Sequence, residues 1–372
     1  MVVLKDICAV ISNRFPEKTA EEWDNPGLQL GRQTYEIHKI LVALELTPEV
    51  AHEAIESGVQ LILTHHPFIF KPIKSITDKD PEGTLLLDLA EHHIALLASH
   101  TNLDAAPQAI SEKLADDLNL NKRRIFLPHH PYEAYKIIVF VPESHADSVA
   151  EAMHQAGAGN VGQYDHVSFR SHGEGRFTCG FQSHPAIGEP GSSETVAELR
   201  IEMVVSGREL GRVIQAMLKA HPYEEPAYDV FKLESDVHQM TDLYGFGITG
   251  ELPAPMPLQS LAKHLKQIWD IPVLRISDST DKIIQTVAIL NGSGARYLNQ
   301  CKNTADVYIT GDCGHHDFDN ARRIGIPLID AGHYDTEKYI PAILMKTLKN
   351  AKFGDQLDIR IAKTMKNPMS YI

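Results

Sequence analysis

The chain has 372 residues and a formal net charge of −14, long enough for two or three domains with substantial cores. That acidic balance, with a sequence pI near 5.8, excludes a broad surface for nucleic acid or anionic membrane, though not a small local anion pocket. The N-terminal Met1-Val2-Val3-Leu4 lacks a signal-peptide core, and apolar runs such as Ile137–Val141 are too short to span a bilayer. Cys8, Cys179, Cys301 and Cys313 form no Cys-x-x-Cys pair, so a reduced cytoplasmic protein is expected.

Residues 3–15 carry Leu4, Ile7, Cys8, Ile11 and Phe15 at helical spacing. The loop from Glu21 to Gly31 follows, with an Asn25-Pro26-Gly27 turn beside Trp23. It reads either as a surface turn with Trp23 packed down or as the lip of a crevice, with Asp24, Asn25 and Gln29 facing substrate. From residue 39 the pattern is βαβ: a strand at 39–44, Thr47 capping a helix at 48–57, Gly58 ending it, and a buried strand at 60–63. That strand delivers His65 and His66, and Pro67 stops it. Neighbouring side chains on extended chain point to opposite sides, so the pair can serve two centres; the alternative is a polar strand end.

A helix at 82–92 and a strand at 94–99 lead to His100-Thr101-Asn102-Leu103-Asp104, while His92 and His93 read as surface residues. Asn121-Lys122-Arg123-Arg124 reads as a solvated turn. Residues 129–235 then follow the order βαββαβ, with strand fragments at 167–171 and 177–182, which predicts a ferredoxin-like module inserted between residues 1–128 and 236–372. His129 and His130 read as a loop opening it. The repeated His-Pro-Tyr-Glu at 130–133 and 221–224 reads as structural.

Beyond it, a helix is expected at 258–268 and a strand at 286–290. Asn291-Gly292-Ser293-Gly294 follows at a helix N-terminus, either holding phosphate or allowing close packing. Strands at 305–310 and 326–330 run into Gly311-Asp312-Cys313-Gly314-His315-His316-Asp317 and Gly332-His333-Tyr334-Asp335-Thr336-Glu337. Strand–helix alternation calls for mainly parallel α/β sheets. Ligands then gather in the crevice at the strands' carboxyl ends, and four such ends carry histidines or carboxylates.

Imidazoles and carboxylates suit Zn²⁺, Mn²⁺, Fe²⁺ or Co²⁺, with zinc the ion expected in isolated protein. Two cations about 3.5–4 Å apart require a bridging anion and bring water between them toward deprotonation near neutral pH. Glu337 is the best bridge and Asp104 a ligand on one side; His333 and Glu337, spaced i, i+4, share a helix face. His315 and His316, with Asp312 and Asp317, read as pocket-lining groups rather than ligands.

Thr-His-His-Pro at 64–67, His-Thr-Asn-Leu-Asp at 100–104, Gly-His-Tyr-Asp-Thr-Glu at 332–337 and Trp-Asp-Asn-Pro-Gly-Leu-Gln-Leu-Gly at 23–31 resemble the NIF-three-like family, the GTP cyclohydrolase 1 type 2 homologues. Glu45 departs from it, where the family more often has Asp. The resemblance implies an α/β core of two halves around a dinuclear centre of His65, His66, Asp104, His333 and Glu337. It also implies a PII/CutA-like inserted domain and a toroidal homohexamer. The sharpest function that follows is conversion of GTP to dihydroneopterin triphosphate and formate, with His100 or His316 moving protons. The alternatives are a phosphoester or amide hydrolase acting on another small molecule, and a non-enzymatic metal-binding regulator whose insertion senses a ligand. Nucleic acid is the least favoured partner.

Overall fold

The computed structural model describes residues 1–129, 132–162, 164–234, 244–277 and 282–371. The chain divides into two compact units, Met1–His129 with Tyr244–Ile372, and His130–Leu243. No described helix is long and apolar enough to cross a membrane.

Two sheets build the first unit. One has the strand order Gly27–Leu30, Ala95–Ala98, Leu61–Thr64, Lys39–Ala43, Asp358–Ile361. Its last four strands are mutually parallel, and Gly27–Leu30 is antiparallel at the edge. All four residues of Leu61–Thr64 and of Ala95–Ala98 are buried, the pattern of parallel strands covered on both faces. The other sheet runs Arg275–Ile276, Leu328–Asp330, Val307–Gly311, Ile283–Ser293, Tyr244–Pro257, Asn121–His129, with its three middle-to-inner strands, Leu328–Asp330, Val307–Gly311 and Ile283–Ser293, parallel. Leu61–Thr64, Ala95–Ala98, Val307–Gly311 and Leu328–Asp330 each lead into a histidine-bearing stretch.

Local chemistry sets the connecting helices. Thr47 accepts a hydrogen bond from Val50 N at 3.2 Å, Pro48 stands at the first turn, and Gly58 closes Pro48–Ser57 at φ 61°. Asp80 caps Pro81–Glu91 by accepting from Gly83 N at 2.7 Å. The helix Leu258–Ile268 occupies the expected residues.

The sheets do not follow the two halves of the chain. Asp358–Ile361 crosses back to pair with Lys39–Ala43, and Asn121–His129 pairs with Tyr244–Pro257. The division at residues 128 and 236 therefore separates chain segments but not sheets; its second boundary lies outside the described residues. Asn121–Arg124 is the start of a strand, not a turn. Its cations meet carboxylates: Lys122 bonds Glu251 at 3.0 Å and Arg123 bonds Glu112 at 3.1 Å and Asp116. His129 closes that strand opposite Tyr244 rather than opening a loop, and His130 lies outside the described residues.

The second unit has one antiparallel sheet, ordered Phe169–Thr178, Ser193–Ser206, Ala134–Pro142, Tyr228–Lys232. With helices Ala146–Gln155 and Leu210–Ala220 this is the ferredoxin-like βαββαβ order. Ile137, Val139, Val141, Ile201, Met203 and Val205 face the helices and form its core. The two fragments expected around residues 167–182 are a single strand, Phe169–Thr178. In the second His-Pro-Tyr-Glu, His221 Nε2 meets Phe140 O at 2.9 Å and its Nδ1 accepts from Tyr223 N at 3.1 Å, a structural role.

Candidate metal centre

Leu61–Thr64 ends under a clamp: the amides of His65 and His66 both donate to Leu44 O, at 3.1 and 2.8 Å. The clamp sets the two rings 5.0 Å apart on one site. His65 is fully buried. Its Nδ1–H donates to Ser99 O at 2.8 Å, so Nε2 carries the lone pair. That Nε2 is buried without a hydrogen-bond partner, 3.7 Å from Asp104 Oδ1 and 3.8 Å from Glu337 Oε1. A buried nitrogen lone pair aimed at two carboxylates is a donor set suited to a cation.

The other imidazoles are held in the same way. His333 donates from Nδ1 to Asp312 Oδ2 at 2.6 Å and turns Nε2 to Glu337 Oε2 at 2.9 Å. His66 Nε2 lies 3.0 Å from the same Glu337 oxygen, and its Nδ1 is 3.7 Å from Glu45 Oε2. His100 donates from Nδ1 to Asp24 Oδ1 at 2.7 Å, and its ring touches those of His65 and His66 at 5.1 and 5.5 Å. Asn291 ties the carboxylates together, donating to Asp104 Oδ1 at 2.9 Å and Glu337 Oε1 at 3.1 Å.

Electrostatics follow from this arrangement. Burial works against the charged form of Glu337, but His333, His65 and His66 outweigh it and hold the carboxyl well below the usual range. Burial likewise disfavours protonated His66 and His333, yet Glu337 with Glu45 raises the first to about 9, and Asp312 with Glu337 raises the second to about 10. Asp104 moves upward because it is buried, with the Glu337 charge adding to the shift. His66 holds Glu45 below its ordinary value. Burial opposes ionisation of Asp24, but His100, Thr101 and Asn25 outweigh it and lower its pKa.

Three groups of potential ligand atoms, each within 4.8 Å of one another, result: His65, His66 and His100; His66, His333 and Glu337; His65, Asp104 and Glu337. Glu337 and the two adjacent histidines are shared between groups. His316, with His315, is exposed on the first turn of His315–Ile324 and is in none of these groups. Asp317 accepts from Gly314 N at 2.7 Å and so caps that helix.

Four roles differ from, or go beyond, the sequence reading. Asp24 is buried against His100 and Thr101 and orients the imidazole instead of facing substrate. Asn25 and Gln29 bind the backbone of Phe68 and Ile69 and fix that loop. The lip consists of Trp23 and Phe70, 45% and 43% exposed with rings 5.6 Å apart and both edged against His100; Arg296 lies 5.8 Å over Trp23. The amides of Gly292 and Gly294 donate to Thr336 and Thr310 hydroxyls at 2.9 Å, so the Gly-Ser-Gly turn serves packing, not phosphate. Glu45, noted only as a departure from the family pattern, and Asn291, read as part of the Gly-Ser-Gly turn, both touch the cluster.

Asp312 gives a test of the orienting bonds. Asp312→Ala frees the His333 ring and is expected to weaken metal binding about 10–100-fold, the usual effect of losing such a partner, with little change in fold. Competition against a chelating indicator measures it; unchanged affinity would show that the Asp312–His333 bond does not orient a ligand.

Residues 2–368 match the Duf34/NIF3 (NGG1p interacting factor 3) family. The chain belongs to that family. Its NIF3 relatives include a protein of Halalkalibacterium halodurans, 37% identical over 347 residues and covering 92% of each chain, and one of Bacillus subtilis, 36% identical over 362 residues and covering 96% of this chain and 95% of that one. Both are named GTP cyclohydrolase 1 type 2 homolog. The crystal structure of a Bacillus cereus protein related to NIF3 superposes with a TM-score of 0.87 at 34% identity, covering 100% of this chain and 99% of that one. A Staphylococcus aureus crystal structure matches with a TM-score of 0.76 at 30% identity over the same shares.

Proposed function

We propose that the chain is a metal-dependent hydrolase with a dinuclear centre, acting on a purine nucleotide and in its sharpest form converting GTP to dihydroneopterin triphosphate and formate. The observation that carries this is the orphaned, buried His65 Nε2 facing Asp104 and Glu337. His65, Asp104 and Glu337 would hold one cation, and His66, His333 and Glu337 the other. Bound there, such cations supply Lewis-acid polarisation and lower the pKa of coordinated water. The names of the relatives point to the same substrate class.

The chain's own residues do the rest. Asp24 accepts the Nδ1–H of His100, leaving Nε2 free to accept a proton at the edge of the cluster. Trp23 and Phe70 offer an exposed aromatic surface beside that imidazole, suited to a planar base. A second reading, hydrolysis of a phosphoester or amide of another small molecule, draws on the thin positive charge at this lip: Arg296 is already shared with Glu21 at 3.7 Å. Assembly as a homohexamer belongs to the same proposal, and light scattering on the purified chain checks it.

The test is turnover of GTP by protein loaded in turn with Zn²⁺, Mn²⁺, Fe²⁺ and Co²⁺, following formate and phosphate separately. Formate release supports the cyclohydrolase form, and phosphate without formate supports the second reading. Trp23→Ala should then raise KM about tenfold, the order of one base–aromatic stack, with metal content unchanged. Absence of any turnover with all four metals would reject the GTP substrate.

A further inference from the structure

The ferredoxin-like unit carries a second cavity that owes nothing to the metal centre. Its sheet packs helices on one face only. Along Ser193–Glu198 exposure nevertheless alternates, and Glu194, Val196 and Glu198 are the covered side chains, with Glu198 only 7% exposed. They cannot be facing the helices, because Leu199, Ile201 and Met203, of opposite parity, do that. Over the open face lies the 180–187 segment, which roofs a half-open cavity of about 810 Å³ with Glu198 in its lining. The roof is fastened at both ends: Cys179 N donates to Ser192 O at 2.8 Å and Gly191 N to Cys179 O at 2.8 Å, while His184 N donates to Glu224 Oε2 at 2.9 Å.

The floor is built around one carboxylate. Gly173 pairs directly with Glu198 across the ladder, and a Cβ on Gly175 would lie 2.2 Å from Glu198 Oε2, so the glycines leave a trough in which that side chain lies flat. Among the described residues the one hydrogen bond Glu198 accepts is from Tyr223 Oη, at 2.9 Å. Burial and the Glu198 charge keep that phenol protonated. A carboxylate this deep, with a single neutral donor, is left short of positive charge. Glu224 and Glu225 add to the lining charge. Against them stands Arg200, already paired with Glu202 at 2.8 Å. Phe177 and Tyr223, edge to face at 5.7 Å, supply aromatic walls beside the carboxylate.

We infer that this roofed trough is a binding site for a small organic cation, a protonated amine or a guanidinium, which pairs with Glu198 and lies against Phe177 and Tyr223. Size, charge and ring faces all fit that chemistry: the volume is that of small-molecule sites, and aromatic faces attract desolvated cations. The site is independent of the hydrolase reading, since every residue it uses lies in the unit His130–Leu243.

The experiment is isothermal titration of the full chain at physiological salt with agmatine, which carries a guanidinium, and cadaverine, which carries only ammonium groups. Saturable binding of one molecule per chain by either probe is expected, and the better probe identifies the head group. Glu198→Gln keeps an oxygen for Tyr223 to bond and should weaken binding at least tenfold. Gly173→Val, at an exposed edge-strand position with open space at its Cβ, should abolish binding by filling the trough without touching Glu198. Metal content should be unchanged in both variants. No saturable binding of either cation overturns the proposal, as does equal affinity in both variants, or binding of inorganic phosphate in place of the cations.

Discussion

Glu337→Gln is expected to leave the protein folded and nearly free of metal. The carboxylate is 3% exposed and is the one group within reach of His65, His66 and His333 together, at 3.8, 3.0 and 2.9 Å. Exchanging it for an amide keeps the volume and the bond from Asn291 but removes the anion that two of the three ligand groups share. Loss of an orienting partner such as Asp312 costs about 10–100-fold in affinity, and loss of a shared ligand should exceed that. Elemental analysis after loading and desalting should find less than a tenth of the wild-type metal. His65→Ala should behave similarly for the group containing Asp104 while leaving the His333 group in place, so residual metal near half of wild type is the expected value there. Full metal retention in Glu337→Gln would contradict both the bridge and the dinuclear reading. Because imidazole ligands must be deprotonated to bind, uptake by the wild type should also fall as the solution is acidified.

Much of this candidate centre was legible because its residues come after short, buried, mainly apolar strands. Leu61–Thr64, Ala95–Ala98 and Leu328–Asp330 are buried throughout, and a polar residue directly beyond such a run has little choice but to sit at the sheet's carboxyl edge. His65 and His66 obey that rule, whereas Asp104 and Glu337 lie farther on, at the ends of the short helices Thr101–Asp104 and His333–Glu337, and the fold brings all four into one candidate cluster. Asn291 and Glu45 obey it too, but their roles depend on which other strand ends lie opposite, and sequence separation hides this: Asn291 meets Asp104 across 187 positions. The same limit explains the sheets. Asp358–Ile361 is a short strand, and nothing local in the sequence says that it returns to Lys39–Ala43.

Glycine and charge are harder to read, for a different reason. Gly245, Gly247 and Gly250 lie inside the strand Tyr244–Pro257. A Cβ at Gly245 would meet Leu127 O at 2.4 Å and one at Gly247 would meet Ile289 O at 2.5 Å, so the glycines answer to close backbone on either side. Asn121–Arg124 looked like a solvated turn because its side chains are polar. Its backbone is nonetheless committed to the ladder with Tyr244–Pro257, and the polar groups face carboxylates.

Gly292→Ala is expected to damage the site more than any other single methyl group. Gly292 has φ 62°, and a Cβ there would lie 2.1 Å from Glu337 Oε1. Two effects are combined: the left-handed backbone costs a non-glycine residue about 1–2 kcal/mol, and the methyl must push Glu337 out of the cluster. Gly58→Ala separates them. Gly58 has φ 61° at the end of Pro48–Ser57 and nothing within 4 Å of its Cβ, so it bears the backbone cost alone. Both variants should therefore melt below wild type, Gly292→Ala by the larger margin, since its methyl also disrupts a buried hydrogen-bonded network. Gly58→Ala should keep its full metal complement, and Gly292→Ala should lose most of it. Thermal denaturation with metal analysis of both proteins decides the matter. If Gly292→Ala binds metal like wild type, Glu337 has room to move, and the close packing beneath it is not what holds that carboxylate in place.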